Sequence, residues 1–340
     1  MLVQKKSTMR TSGRSPFEKV AKTDSQLSEF GERALIHRLC ECLAPVSPPS
    51  PQGMGDDCAL IRIPDGKQQI LTTDYVTFDQ HFTTDIRPEQ AGAKLVKRNL
   101  SDIAAMGGNP GPALLSLLCG PDTSVAWLEC FVRGLCKSAL HYGVTIVGGD
   151  VSQLNPGNFS AGLTLTGTVG GSFKLRNTAA VGDRIYVTGE LGGSLAGKHY
   201  KFEPRLNEGR WLASRAECSA MMDLTDGLAK DLEAILPPLT SGLINTAQIP
   251  LSAAAAVASK SSGRPALEHA FCDGEDYELL FCCSATSEPE AFETNWRTMF
   301  PELPIQEIGS IVAAGKARLI NAPSMEPLSF AGGFEHFIPR

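Results

Sequence analysis

The sequence predicts a mixed α and β protein, of α/β or α+β class, built in two halves. Three observations support this. The chain has 340 residues, more than one hydrophobic core usually serves. Period-2 and period-3.6 hydrophobic patterns are interspersed along its whole length. A Gly170-Gly171 pair falls midway, after a cleanly alternating strand, and reads as a domain joint.

Taken in order, Ser28 to Leu43 predicts a helix, with Leu35, Ile36, Leu39, Cys40 and Leu43 at helical spacing. A proline-rich loop follows over Pro45–Gln52, then strands at Cys58–Ile63 and Gln69–Thr73. Pro88 suits the first turn of a long helix, which Gly107-Gly108 ends. A strand at Leu114–Leu118, a helix over Ser124–Tyr142 closed by Gly143, and a strand at Val144–Val147 come next. Phe159 to Val169 puts Phe159, Ala161, Leu163, Leu165 and Val169 on one face. In the second half the pattern predicts a strand at Arg184–Thr188, a glycine-rich turn with a helix from Leu191, and a polar stretch near 200–215. Strand Ala220–Asp223 then runs into a helix at Asp226, followed by an Ala/Ser-rich helix over 251–262 and strand Tyr277–Cys283.

Residues 1–27 differ from the rest. Lys5, Lys6, Arg10, Arg14, Lys19 and Lys22 face only Glu18 and Asp24, so this stretch carries +4 within a chain of net charge -6 and leaves -10 on the remainder. It reads as a disordered basic tail, with an organelle transit peptide as the sharper alternative. The acidic remainder argues against nucleic acid as a partner, because phosphate backbones select a basic face. No apolar run approaches the roughly 18 residues of a spanning helix. Ten cysteines without a C-x-x-C pair, several inside apolar runs, read as small buried hydrophobes in a reducing, cytoplasmic setting.

The chemistry lies in carboxylates at element ends: Gly55-Asp56-Asp57, Thr72-Thr73-Asp74, Asn99-Leu100-Ser101-Asp102, Gly148-Gly149-Asp150, Asp223-Leu224-Thr225-Asp226 and Asp273-Gly274-Glu275-Asp276. Any one of them could simply cap a helix or occupy a turn. Converging, they would need cations between them, and an all-oxygen set selects Mg²⁺ or Ca²⁺. Aspartates with threonine hydroxyls suit several Mg²⁺ ions carrying a polyphosphate. A Walker loop is absent, since Gly193 to Lys198 has the wrong length, and no protein-kinase H-R-D or D-F-G set appears.

The stretches GDDCALI (55–61), TTD (72–74), QHF (80–82), NLSDIAAMGGNP (99–110), YGVTIVGGD (142–150), GDRIYVTGELGGSLAG (182–197), MDLTDGLAKDL (222–232), DGEDYELLF (273–281) and GGFEHF (332–337) together resemble the thiamine-monophosphate kinase family, within the superfamily of aminoimidazole-ribonucleotide and selenophosphate synthetases. They span residues 29–340 in the family's order. The resemblance implies ATP- and Mg²⁺-dependent phosphorylation of thiamine monophosphate to thiamine diphosphate. It also implies a homodimer: an N-terminal metal- and ATP-binding domain (28–170) pairs through its sheet into a barrel, and a C-terminal α/β domain (171–340) carries a mixed sheet flanked by helices.

The resemblance further implies Asp57, Thr72, Thr73, Asp74, Asp102, Asp150, Asp223 and Asp226 as the Mg²⁺ set. It gives Gly149, Asp150, Arg176, Thr225 and Tyr142 as nucleotide contacts, and His81, Glu275 and Phe334 on the thiamine side. Some positions depart from the family pattern: Val151-Ser152 replaces a threonine pair, Thr225 stands where serine is common, Asp273 replaces a glycine, and Phe334 replaces tyrosine or tryptophan. The acceptor phosphate is largely ionised near neutral pH, so the reaction implied needs no general base. Two other readings stay open: a sister synthetase with a different acceptor, and a regulator that binds nucleotide and metal without turnover.

Overall fold

In the computed structural model, alternation in one strand organises the first half. The structure describes residues 50–51, 56, 58–62, 68–328, 330 and 333, all within one compact unit spanning Pro48–Phe334. The tail, the helix expected over Ser28–Leu43, Asp57 and Phe334 lie outside the described residues. Strand β5 (Phe159–Val169) buries Phe159, Ala161, Leu163, Leu165 and Val169 and turns Thr164 and Thr166 the other way, as its period-2 pattern predicts. It is the centre of a five-stranded mixed sheet with β1 (Ala59–Arg62), β2 (Gln68–Thr77), β3 (Asn109–Cys119) and β4 (Ile146–Gln153), in the order β1-β2-β5-β3-β4. Only β3 and β4 pair in parallel.

Two 18-residue helices cover one face of this sheet: α1 (Pro88–Ala105) and α2 (Val125–Tyr142). Pro88 opens α1, and Gly107 (φ 71°) follows its end. Ser124 caps α2 by accepting from the Trp127 N–H, and Gly143 (φ 72°) closes it. The helices cross closely: a Cβ on Gly92 would stand 2.0 Å from the Phe131 carbonyl, and one on Gly134 2.0 Å from that of Glu89. Leu95, Leu100 and Ile103 of α1 and Phe131 and Leu135 of α2 pack on Ile70, Val76, Ala161 and Leu163 of the sheet.

The second half builds a seven-stranded mixed sheet. Its strands are β6 (Arg184–Thr188), β7 (Cys218–Asp223), β8 (Thr240–Ile244), β9 (Leu279–Cys283), β10 (Ile305–Ala313), β11 (Leu319–Asn321) and β12 (Glu326–Pro327), ordered β12-β11-β8-β10-β6-β9-β7. Between them lie α3 (Lys198–Lys201), α4 (Leu206–Ser214), α5 (Leu228–Ile235), α6 (Ala253–Ser262), α7 (Ala266–Cys272) and α8 (Pro289–Met299). Both faces are covered. Ile185, Val187, Leu280 and Cys282 meet α5 and α7 on one side. Tyr186, Phe281 and Cys283 meet Trp211 of α4 and Phe292 and Trp296 of α8 on the other. That explains why β9 reads as an unbroken apolar run, Leu-Leu-Phe-Cys-Cys.

Several boundaries move. The strand expected at Val144–Val147 instead starts at Ile146 and runs as β4 through Gly148-Gly149-Asp150 to Gln153, because the ladder of β3 holds it. The helix expected from Leu191 shrinks to a single turn at Ser194–Ala196 and the four residues of α3, since Gly192, Gly193 and Gly197 take positive φ. The polar stretch at 200–215 contains α4.

Candidate functional site

The site grows from five consecutive residues of α1. Thr72 and Asp74 share the β2 face of buried Ile70 and Val76, so both point at α1. Asp102 accepts a hydrogen bond from the Thr72 hydroxyl. Asn99 Oδ1 accepts from the Asp74 N–H at 3.1 Å, and the Arg98 guanidinium meets Asp74 Oδ1 at 3.3 Å. Ser101, one position from Asp102, donates to Asp223 Oδ2 at 2.6 Å. Asp223 ends β7 and is buried. A single stretch of helix therefore meets carboxylates of two other elements, Asp74 of β2 and Asp223 of β7, and carries a third, Asp102, itself. Two buried nitrogens of the Arg98 guanidinium, Nε and Nη1, have no hydrogen-bond partner among the described residues; such N–H groups beside carboxylates can receive an anion.

After Asp223 the chain turns sharply. Buried Asp231 of α5 accepts from the N–H groups of Thr225 (3.0 Å) and Asp226 (3.1 Å) and fixes that turn. Burial and then the charge of Asp226 push the Asp231 carboxyl well up, against backbone hydrogen bonds and the Arg176 cation. Asp226 itself pairs with Lys230 at 2.8 Å, and the Arg176 N–H donates to Asp56 at 3.2 Å.

Asp150 and Gly149 stand apart from this region. Asp150 lies opposite Ser116, which aligns through Gly162 with Tyr75. This row is on the face opposite Asp74 and Thr72, and Asp150 is three strand spacings from Tyr75, on the order of 14 Å. Asp150 is exposed and accepts from Ser152 Oγ at 2.7 Å. Gly149 must be glycine, since a Cβ would stand 1.8 Å from the Leu115 carbonyl. Thr73 faces that same side, 3.1 Å from the Thr164 hydroxyl. Tyr142 is elsewhere again. It donates to Glu203 in a groove of about 490 Å³ that also holds Arg87, Lys97, Lys137 and Lys201.

The thiamine-side candidates Glu275 and His81 do come together, through a residue that sequence reasoning missed. The Lys94 ammonium, fully buried, reaches Glu275 Oε1 at 2.7 Å and the His81 carbonyl at 2.7 Å. Burial alone would raise the Glu275 carboxyl, but the Lys94 and Arg98 cations hold it well below the usual carboxylate range. Glu275 (φ 54°) and Tyr277 (φ 50°) both occupy the left-handed region, a strained turn of the kind that clusters at functional sites. The Glu275 N–H donates to the Thr225 carbonyl at 2.7 Å, so this turn and the Asp223–Asp226 turn are one assembly.

Sequence reasoning also missed Arg98, His199 and Asp231, and gave Asn99 and Ser101 no role beyond standing in the motif before Asp102. A signal existed for Arg98 and Asn99: the polar run Lys97-Arg98-Asn99 interrupts the apolar face of a helix whose burial the periodicity predicts.

Among the described residues no three carboxylate, histidine or cysteine side chains gather closely enough to hold a metal ion by themselves. Thr72 and Asp102 meet directly and Asp74 joins the same stretch of helix through Arg98 and Asn99; all three are oxygen donors. They fit Mg²⁺, which takes one or two carboxylates and completes its shell with water and substrate phosphates.

Comparison with known proteins finds relatives of this chain. Residues 55–171 match the model of the AIR synthase related protein, N-terminal domain. The thiamine-monophosphate kinase of Rhodopirellula baltica is 33% identical, over 84% of this chain and 90% of its own. That of Haemophilus influenzae is 31% identical, over 91% and 98%. The structure of AaThiL complexed with AMPPCP and TMP superposes with a TM-score of 0.78 at 26% identity, over 92% of this chain and 99% of that one. The chain belongs to the thiamine-monophosphate kinase family.

Proposed function

We propose that this protein transfers the γ-phosphoryl group of ATP to thiamine monophosphate, giving thiamine diphosphate and ADP. The observation that carries the reading is the Arg98–Asp102 stretch of α1, which brings its own Asp102 together with Asp74 and Asp223 while leaving two Arg98 nitrogens without partners among the described residues. Family membership and the AaThiL complex with AMPPCP and TMP support the same reading.

The acceptor phosphate is its own nucleophile and needs no general base. The chain's task is to align two anions that repel each other. Bound Mg²⁺ supplies the charge neutralisation between the phosphates. Thr72, Thr73, Asp74, Asp102, Asp223 and Asp226 are assigned to hold it, with Asp57 and Asp150. Gly149, Arg176, Thr225 and Tyr142 are assigned to the nucleotide, and His81, Glu275 and Phe334 to the thiamine end, where a carboxylate offsets the cationic ring. The working unit in this reading is a homodimer in the cytoplasm, each subunit dividing near 170 into an N-terminal and a C-terminal domain. No helix among the described residues is long and apolar enough to cross a membrane.

The test is product analysis after mixing the protein with ATP, Mg²⁺ and thiamine monophosphate. Thiamine diphosphate should appear with ADP and vanish with EDTA. ATP binding without thiamine diphosphate would move the assignment to a sister synthetase or a regulator. Asp102→Asn keeps an oxygen for the Thr72 hydroxyl, so it should stay folded while turnover falls roughly 100-fold. Unchanged turnover would remove Asp102 from the site.

A further inference from the structure

Lys94 is an odd occupant of a helix interior. Its side chain is completely buried, and an ammonium is costly to remove from water. It has three N–H donors, and each has one acceptor: Glu275 Oε1 at 2.7 Å, the His81 carbonyl at 2.7 Å and His199 Nδ1 at 2.9 Å. Nδ1 also lies 3.4 Å from Glu275 Oε2, but it cannot accept from Lys94 and donate to Glu275 at once. The shorter contact makes it the acceptor. The three acceptors come from three separate segments: the loop between β2 and α1, helix α3, and the strained turn before β9.

We propose that Lys94 is a positioning residue for the thiamine end of the substrate: it holds Glu275 against the His81 loop and so sets the affinity for thiamine monophosphate without touching the transferred phosphate. This rests on the kinase reading above. Two observations carry it. The contacts join the only two described residues assigned to the thiamine end. A buried ion pair is also a poor source of stability compared with apolar packing, so a fully satisfied ammonium here points to orientation. The groups facing Lys94 are Glu275, His199 and the His81 carbonyl, with Arg98 and Asp74 acting at longer range. Burial lowers the ammonium to about 8 against the pull of Glu275, so the cation is present at pH 7 and lost by pH 9.

The experiment is a double-mutant cycle on the full chain, using Lys94→Met, Glu275→Gln and the pair, with circular dichroism to check folding. Lys94→Met should raise the KM for thiamine monophosphate about tenfold, with kcat and the KM for ATP within about twofold. The double variant should be no worse than Glu275→Gln alone. A folded Lys94→Met with unchanged KM, or penalties that multiply in the double variant, would overturn the proposal. Should Lys94→Met not fold, wild-type kinetics decide. The KM for thiamine monophosphate should rise from pH 7 to pH 9 while that for ATP stays level, and a flat profile overturns the proposal. Wild-type protein that never forms thiamine diphosphate brings down this inference and the kinase reading together. Turnover with an unaffected variant brings down only this one.

Discussion

A buried carboxyl next to the strained turn sets a pH dependence of stability. Asp276 is buried and accepts from the Gly192 N–H, and burial pushes it up to about 7 against the Lys198 cation. The folded state therefore keeps a proton that the unfolded chain releases near pH 4. The stability from this group is complete below about pH 4 and is lost as pH rises toward 7, by about 1.4 kcal/mol per unit. Asn at this position still accepts from Gly192, so Asp276→Asn should remove roughly 2 kcal/mol of the decline between pH 5 and pH 7. Urea unfolding at the two pH values checks this, and an identical decline in the variant refutes it. Residues of this kind were the least legible in the sequence. Asp102 and Asp223 could be picked out because they end hydrophobic elements. Lys94 and Asp231 could not: a lysine or aspartate in an amphipathic helix reads as a solvated position until the partner that buries it is known.

At the scale of elements, the crossing of α1 and α2 depends on having no side chain at Gly134. Alanine there would gain about 1 kcal/mol of helix propensity. A Cβ 2.0 Å from the Glu89 carbonyl would instead force the helices apart, and overpacking costs about 1–3 kcal/mol or more. The clash wins, so Gly134→Ala should lower the urea midpoint, and an unchanged or higher midpoint would mean that the helices slide without cost. The ends of both helices were readable from Pro88, Ser124 and Gly143, because capping is local chemistry. The extent of β4 was not. Its glycines argue against a strand, and only the parallel ladder to β3, contributed by residues more than thirty positions earlier, holds it extended.

For the whole molecule, the two faces of the first sheet divide the proposed metal set. Thr72 and Asp74 look toward α1, and Asp150 looks the other way with Tyr75 and Leu114, both exposed. Asp150 and Asp102 therefore stand on opposite sides of one sheet. Asp102→Asn and Asp150→Asn should then act independently, with their effects on turnover multiplying in the double variant. A double variant no worse than the more damaging single one would mean that both carboxylates serve one site. Neither the sheet's two-sidedness nor this division was visible in spacing alone, since parity along a strand gains meaning only once its partners are known.

The Arg98–Asp102 stretch and Lys94 share one rigid rod, and that has a consequence for how this chain can vary. Each added residue turns a helix by about 100°. A one-residue insertion after Lys94 would swing Arg98, Asn99, Ser101 and Asp102 off Asp74, Asp223 and Thr72 together, while Lys94 stayed on Glu275. Substitutions can be absorbed here one at a time. A change of length cannot, so this span of α1 acts as a fixed ruler between the two sheets.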